Sequence, residues 1–264
     1  TIVYKMANDS FFFVPNAGTT QRMYEWVLAH KGNYNVEINN VSSQISSIAL
    51  QGPESEEVLK ELGFEYPGYF KFSYKNYKYK NAITGKKDII ISGTGYTGEK
   101  GVEFIIPNEY AVELWKELYS SISKRSGLAC GLGCRDTLRM EKGMLLSGHD
   151  FNENRDPYEG SISFIVNNDG NFVGKDALMK RKAEDKEIFR GFILDDGIPR
   201  PENEIKKDGS KIGMVTSGSI SPVLNKGIAL GYINKEFSKE NTEVLINIRG
   251  KDHTAKVSKP RIVK

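Results

Sequence analysis

Apolar residues come in short runs through the first part of the chain, and their spacing switches between alternation and helical periodicity. TIVYKM and FFFVP read as two strands about the polar turn ANDS. TTQRMYEWVLAHKG then sets Met23, Trp26 and Val27 at helical spacing before a stop at Gly32, which predicts a ββα opening. ISSIALQG reads as another strand, and PESEEVLKELG as a short helix with Pro53 in its first turn and a glycine stop. KFSYKNYKYKNAITGKKDIIIS predicts a meander with turns near Asn76 and Gly85, VEFIIP a strand, and EYAVELWKELYSSISKRSG a long helix capped by Asn108. From about Glu187 the texture changes to EIFRGFIL, KIGMVTSGSIS, GIALGYI and EVLINIRGKDHTAKV. Short strands with frequent glycine and hardly any helix predict a small antiparallel barrel or sandwich. The charged run KRKAEDKE, solvated and without a core face, marks a boundary there. The expected class is α+β, with domains at residues 1–186 and 187–264.

Composition narrows the picture. The 264 residues suffice for two domains or one large one. A net formal charge of +3, from 37 basic and 34 acidic residues, excludes a protein dominated by nucleic-acid or membrane-surface electrostatics. FFFV is too short for a signal-peptide core or a membrane span and no later run approaches one, so the chain reads as soluble, with no nucleic acid and no membrane among its partners. It opens at Thr1 directly on a strand-like run, and a preceding segment is expected. Cys130 and Cys134 are too few for a disulfide framework or a closed zinc site and read as small half-buried residues in a reducing compartment. His30, His149 and His253 lack partners at ligand spacing, so no metal site is expected.

Two segments carry candidate chemistry. In SGTGYTGEKGVEF, residues 92–104, Gly95, Gly98 and Gly101 recur at every third position, Tyr96 lies among them, and Glu103 stands on the strand that follows. Glycines so spaced let backbone pass close to a flat ligand. A carboxylate on an apolar strand is costly to bury unless paired, and the donors that pair best are bidentate, an arginine or an amino-pyrimidine ring. Tyr96 offers a stacking face or a hydroxyl. A glycine-rich turn with Glu103 in solvent accounts for the same residues. In GLGCRDTLRMEKGMLLSGHD, residues 131–150, Arg135 and Arg139 would share one helix face, with Asp136 placed to pair with Arg139. The alternative is a surface ion-pair helix.

Taken with TSGSISPVLNKGIALGYI and the supporting pieces VPNAGT, IALQGP, FVGKDAL and IPR in the same order, these segments resemble the T-protein of the glycine cleavage system, the aminomethyltransferase family. The likeness covers essentially the whole chain. It implies a folate-binding α+β body arranged around a central channel, followed by a small C-terminal antiparallel β-barrel. It also implies the reaction: aminomethyl-lipoyl H-protein plus tetrahydrofolate gives 5,10-methylenetetrahydrofolate, ammonia and dihydrolipoyl H-protein. By the same resemblance Glu103 holds the pterin donor edge, Tyr96 contacts the pterin, Arg135 sits by the reacting end as the catalytic candidate, and Asn16 is a further folate contact. Lipoylated H-protein is the implied partner, and the implied location is the cytoplasm, or the mitochondrial matrix in a eukaryote. The family's activating aspartate, the second of a DD pair, would precede Thr1, and TIVYKM would then be an interior strand; failing that, Asp136 and Asp150 are the carboxylates to test. Gly93 stands in place of the usual arginine, Ser147 of an aromatic, Phe164 of tryptophan and Arg261 of phenylalanine. Two other readings stand beside this one: a folate-dependent demethylase of the same superfamily, and a folate-binding iron–sulfur assembly factor, whose KGCYxGQE is here GTGYTGEKGVE. Lysine-rich KNYKYK suits either an acidic partner or a solvated strand face.

Overall fold

The computed structural model describes residues 1–77 and 87–264. The expected turn near Gly85 lies outside the described residues, as do the side chains of the KNYKYK run. The chain divides into two compact units, one of Thr1–Gly95 with Glu99–Ala129, the other of Tyr96–Gly98 with Cys130–Lys264.

The first unit opens as ββα: β1 (Ile2–Lys5) and β2 (Phe11–Val14) form an antiparallel hairpin, and α1 (Thr20–Ala29) follows, with Gly32 at positive φ just beyond its end. Among the described strands β1 pairs only with β2, and Val3 on its outer side is 62% exposed. β3 (Ile45–Gln51), β4 (Phe72–Tyr77), β5 (Lys87–Ser92) and β6 (Gly101–Pro107) make an antiparallel sheet in the order β3-β6-β5-β4. Asn76 itself pairs with Asp88 inside the β4–β5 ladder, and the residues beyond Tyr77, where a turn near it would fall, lie outside the described residues.

Alternation decides what each face of this sheet buries. Ile89, Ile91, Val102, Phe104 and Ile106 point into a core closed by Leu59 of α2 (Ser55–Glu61) and by Leu114 and Leu118 of α3 (Asn108–Ser123). Ile90 and Ile105 point the other way, where Tyr4 of the hairpin packs with Phe12 and Phe72. Two cap expectations are corrected. Pro53 lies before α2, whose N-cap is Glu54, and Asn108 is the first residue of α3 rather than its cap. The Asn108 side chain is drawn off to β3 instead: it accepts from the Ser46 hydroxyl at 2.8 Å and donates to the Ser43 carbonyl at 2.8 Å.

In the second unit, α4 (Leu132–Glu141) and α5 (Lys175–Glu184) precede six strands, β7 (Glu187–Leu194), β8 (Glu204–Lys207), β9 (Ser210–Ser221), β10 (Lys226–Asn234), β11 (Glu243–Ile248) and β12 (Lys251–Ser258). They close a barrel in the order β10-β7-β12-β11-β8-β9, all pairs antiparallel, filled by Phe192, Leu194, Val215, Ala229, Ile246 and Val257 among others. The barrel thus starts where the change of texture places it. The compact units, however, part at Ala129, and the charged run is mostly helical: α5 extends through Glu184 with no buried residue. Met140 of α4 packs against Phe189, Leu230 and Tyr232, so α4 lies on the outside of the barrel wall.

Candidate active site

The glycines of SGTGYTGEKGVEF serve the packing of the chain on itself. A Cβ on Gly95 would fall 1.9 Å from Gln51 Oε1, and one on Gly101 would fall 2.3 Å from the Leu50 carbonyl oxygen. Both glycines let this segment close on β3, where Gln51 Nε2 donates to the Thr94 and Val102 carbonyls at 3.2 and 3.0 Å. The expectation that the spacing leaves room for a flat ligand is therefore corrected at these two positions: β3 occupies the space.

Glu103 is half-buried and stands opposite Ser92 and Ala49, on the sheet face that also carries Ile105 and the β1–β2 hairpin. The Thr94 hydroxyl donates to its Oε2 at 2.6 Å, and among the described residues this is the only hydrogen bond to its side chain, which has no ion pair. The Thr94 hydroxyl also lies 3.0 Å from that of Ser92. Burial raises the pKa of the Tyr4 phenol; hydrogen bonds to Ser92 and Thr94 oppose this and the Glu103 charge adds to it. Tyr4 therefore keeps its proton beside the carboxylate. Asn16 is in the same unit, exposed, at the start of a short 3-10 turn in which its carbonyl accepts from the Thr19 amide at 2.9 Å.

Tyr96 and Arg135 come together in the second unit. The Arg135 guanidinium lies 4.6 Å from the Tyr96 ring centroid, a cation–π arrangement, and the Tyr96 hydroxyl donates to the Leu145 carbonyl at 2.7 Å. Burial, with the opposing Arg139 charge next in size, pushes Tyr96 up to about 12, so the phenol is a hydrogen-bond donor and not a base. Arg135 itself is exposed on α4.

The helix expected over this motif forms, but it is not a surface ion-pair helix. Arg139 is 1% exposed and pairs with Asp136 at 2.8 Å, as spaced, and also with Asp150 at 2.5 Å. Asp150 further accepts from the Leu146 amide at 2.8 Å, from the Ser217 hydroxyl at 2.7 Å and from the Thr216 hydroxyl. Consecutive residues of a strand normally point to opposite faces; Thr216 and Ser217 both reach one carboxylate because the β9–β10 register slips between Leu230 and Gly231, a bulge that leaves Thr216 unpaired in the ladder. Sequence reasoning named Asp150 but not Thr216 and Ser217, since a bulge has no signature in TSGSIS.

The cysteines are exposed, not half-buried, because both flank the solvent-facing N-terminus of α4. One further cluster lies in this unit. Carboxylate oxygens of Asp156, Glu159 and Asp185 lie within 4.8 Å of one another, and Arg181 reaches Asp156 at 3.3 Å and Glu159 at 3.5 Å. Asp185 Oδ2 is buried with no hydrogen-bond partner among the described residues, and desolvation, then Asp156 and Glu159, lift its pKa to about 6.

Fold and site define an α+β protein with a closed antiparallel barrel in its C-terminal part and, on its open sheet, a glutamate with a single side-chain donor among the described residues. Residues 1–170 match the GCVT N-terminal domain, and residues 189–264 the glycine cleavage T-protein C-terminal barrel domain. The chain is 43% identical over 254 residues to the aminomethyltransferase of Thermoanaerobacter pseudethanolicus, covering 95% of this chain and 68% of that protein. It is 39% identical over 257 residues to that of Clostridium botulinum strain Kyoto, with coverage of 95% and 68%. The crystal structure of glycine cleavage system aminomethyltransferase T from Bartonella henselae matches with a TM-score of 0.86 at 25% identity, over 99% of this chain and 71% of that one. The chain belongs to the glycine cleavage T-protein family of aminomethyltransferases.

Proposed function

We propose that the chain transfers the one-carbon unit of an aminomethylated lipoyl arm, carried by H-protein, to tetrahydrofolate. Two nitrogens of tetrahydrofolate form bonds to the methylene carbon as its bonds to sulfur and to the amino nitrogen break. The two N–H protons leave with ammonia and with the lipoyl thiol. No metal is needed, and holding two large reactants in register supplies up to about 7 to 11 kcal/mol of the barrier. The reading places the protein in the cytoplasm, or in the mitochondrial matrix of a eukaryote. No helix among the described residues is long and apolar enough to cross a membrane.

The observation that carries the reading is Glu103, a half-buried carboxylate with a single donor among the described residues, Thr94. A half-buried carboxylate short of donors favours a ligand that brings two parallel N–H groups, as an amino-pyrimidine edge does, and the donor set fits a reduced pterin. Tyr96 and Arg135 are assigned to the pterin and its reacting end: Arg135 is exposed enough to reach a substrate and is held in place by the Tyr96 ring. Asn16 is assigned as a lesser folate contact. Asp150 is unsuited to accept a proton from substrate, since donors already surround it, and Asp136 is engaged by Arg139. Functionally we divide the chain at residue 187, into a folate-binding part and the barrel. The test is calorimetric titration of tetrahydrofolate into the wild type and Glu103→Gln, together with ammonia release from aminomethylated H-protein. Weaker folate binding in the variant supports the assignment; unchanged affinity overturns it, and folate binding without ammonia release would favour a demethylase.

A further inference from the structure

The two cysteines of the α4 motif have no part in this reaction, yet their placement is specific. Cys130 directly precedes Gly131, the N-cap of α4, and Cys134 lies in the helix's first turn. Both are exposed, and the two thiols are hydrogen-bonded to each other. Little packing holds this turn in one shape: Leu132 is 84% exposed, and a Cβ on Gly131 or on Gly133 would meet no atom within 4 Å.

We propose that Cys130 and Cys134 are a redox modification site that exchanges with a low-molecular-weight disulfide such as oxidised glutathione and closes an intramolecular disulfide over the first turn of α4. In the first step the Cys130 thiolate attacks one sulfur of the small disulfide; a Cys130–sulfur bond forms, the small S–S bond breaks, and one small thiol leaves. In the second, the Cys134 thiolate attacks Cys130 sulfur and expels the second small thiol. Two protein thiols are oxidised to one disulfide while the small disulfide is reduced to two thiols, which carry away the two protons.

The order of attack follows from the surroundings. Desolvation first, then the hydrogen bond to Cys130 and its charge, hold the Cys134 thiol above its ordinary value, which disfavours Cys134 as the first nucleophile. Once Cys130 is a mixed disulfide its charge no longer opposes ionisation of Cys134, which then sits as a thiolate at a helix N-terminus, where thiolates are stabilised. Residues four apart on a helix hold their Cβ atoms about 5–6 Å apart, and a disulfide needs about 3.5–4.5 Å. Cys130 lies outside the helix, next to Gly131, where an added Cβ would meet no atom within 4 Å, so packing around that glycine does not oppose a shift that closes the gap.

Trypsin cuts after Arg125 and Arg135, so both cysteines fall in one peptide, residues 126–135. The full chain, reduced, desalted, incubated with oxidised glutathione, alkylated and digested, is expected to give that peptide lighter by two hydrogens and free of alkyl groups. Cys134→Ser, which lacks the second thiol, is expected to keep a stable glutathione adduct on Cys130. A wild-type peptide that stays doubly alkylated, carries two glutathiones or appears only as a covalent dimer overturns the proposal, as does Cys134→Ser without an adduct.

Discussion

Asp150 and Glu103 are both carboxylates in mainly apolar surroundings, and the protein treats them in opposite ways. The Asp150 side chain is fully buried and takes hydrogen bonds from Arg139, Leu146, Thr216 and Ser217, drawn from α4, the loop after it and a bulge in β9. Glu103 is half-buried and takes one, from Thr94. A buried charge whose lone pairs are filled by its own chain has nothing left to offer a ligand, so its role is to fix α4 on the barrel. A charge left short of donors in a partly dry place is either a fault or a receptor. In a family that handles folate, the second reading is the one to test.

The comparison breaks most visibly if Asp150 proves dispensable. Asp150→Asn leaves the buried Arg139 guanidinium with only the half-exposed Asp136 as a charge partner, and removing one member of a buried pair costs about 3–5 kcal/mol, so the urea midpoint should fall steeply or the chain fail to fold. A loss below about 1 kcal/mol, the worth of an exposed pair, would mean that the network is ornamental. Next comes Gly93→Arg, which installs the residue that the family resemblance leads one to expect there. A Cβ there falls 1.9 Å from the Gly68 carbonyl oxygen, so the loop at Gly68–Lys71 must move, and with it the backbone leading to Thr94. Overpacking of this kind costs about 1–3 kcal/mol, measurable as a lowered Tm, and folate affinity should fall with it. An unchanged Tm would show that the loop yields freely.

Glu103→Gln sharpens the contrast from the other side. Folate binding should weaken by about 1–3 kcal/mol, the loss expected for a charged hydrogen bond, while stability moves by less than about 0.5 kcal/mol because few native contacts are lost. A large drop in stability would make Glu103 structural like Asp150. The smallest effect is expected at Asp185, whose buried Oδ2 has no hydrogen-bond partner among the described residues. Its folded pKa is raised to about 6, against an unfolded value of about 3.9. It therefore contributes stability that is present below the unfolded value and lost as pH rises through the folded one. Asp185→Asn should melt slightly higher than wild type at about pH 7 and show no gain near pH 3.9. A variant that melts lower at neutral pH would show that the charged form is paired.

The strands of the barrel were legible because each is a short apolar run between glycine or polar turns, and EIFRGFIL and GIALGYI coincide with β7 and β10 almost to the residue. β8 was not expected, since EIKK is four residues with a single buried side chain. Asp136 and Arg139 were legible as a pair because helical spacing brings them together; that Arg139 is buried was not, because burial depends on β9, 78 positions away at Ser217. Glu103 could be singled out from its apolar neighbours, whereas the role of Gly95 and Gly101 could not, since it depends on Gln51 and Leu50 lying across the sheet. Spacing reports what lies along one element and is silent about what the next element brings to it.

The C-terminal end of α4 is clasped from far along the chain. The Glu141 carbonyl accepts from the amides of Ile262 and Val263 at 2.9 and 2.8 Å, and Lys142 reaches the Lys264 carbonyl, 122 positions on. Synthesis reaches α4 long before residue 262. A nascent chain that has just made α4 still lacks Ser217 and residues 262 and 263, the partners of Arg139 and Glu141. Domains of this kind settle only when their distant partners exist, so the helix that carries Arg135 can take its final seat only after residues 262 and 263 have left the ribosome.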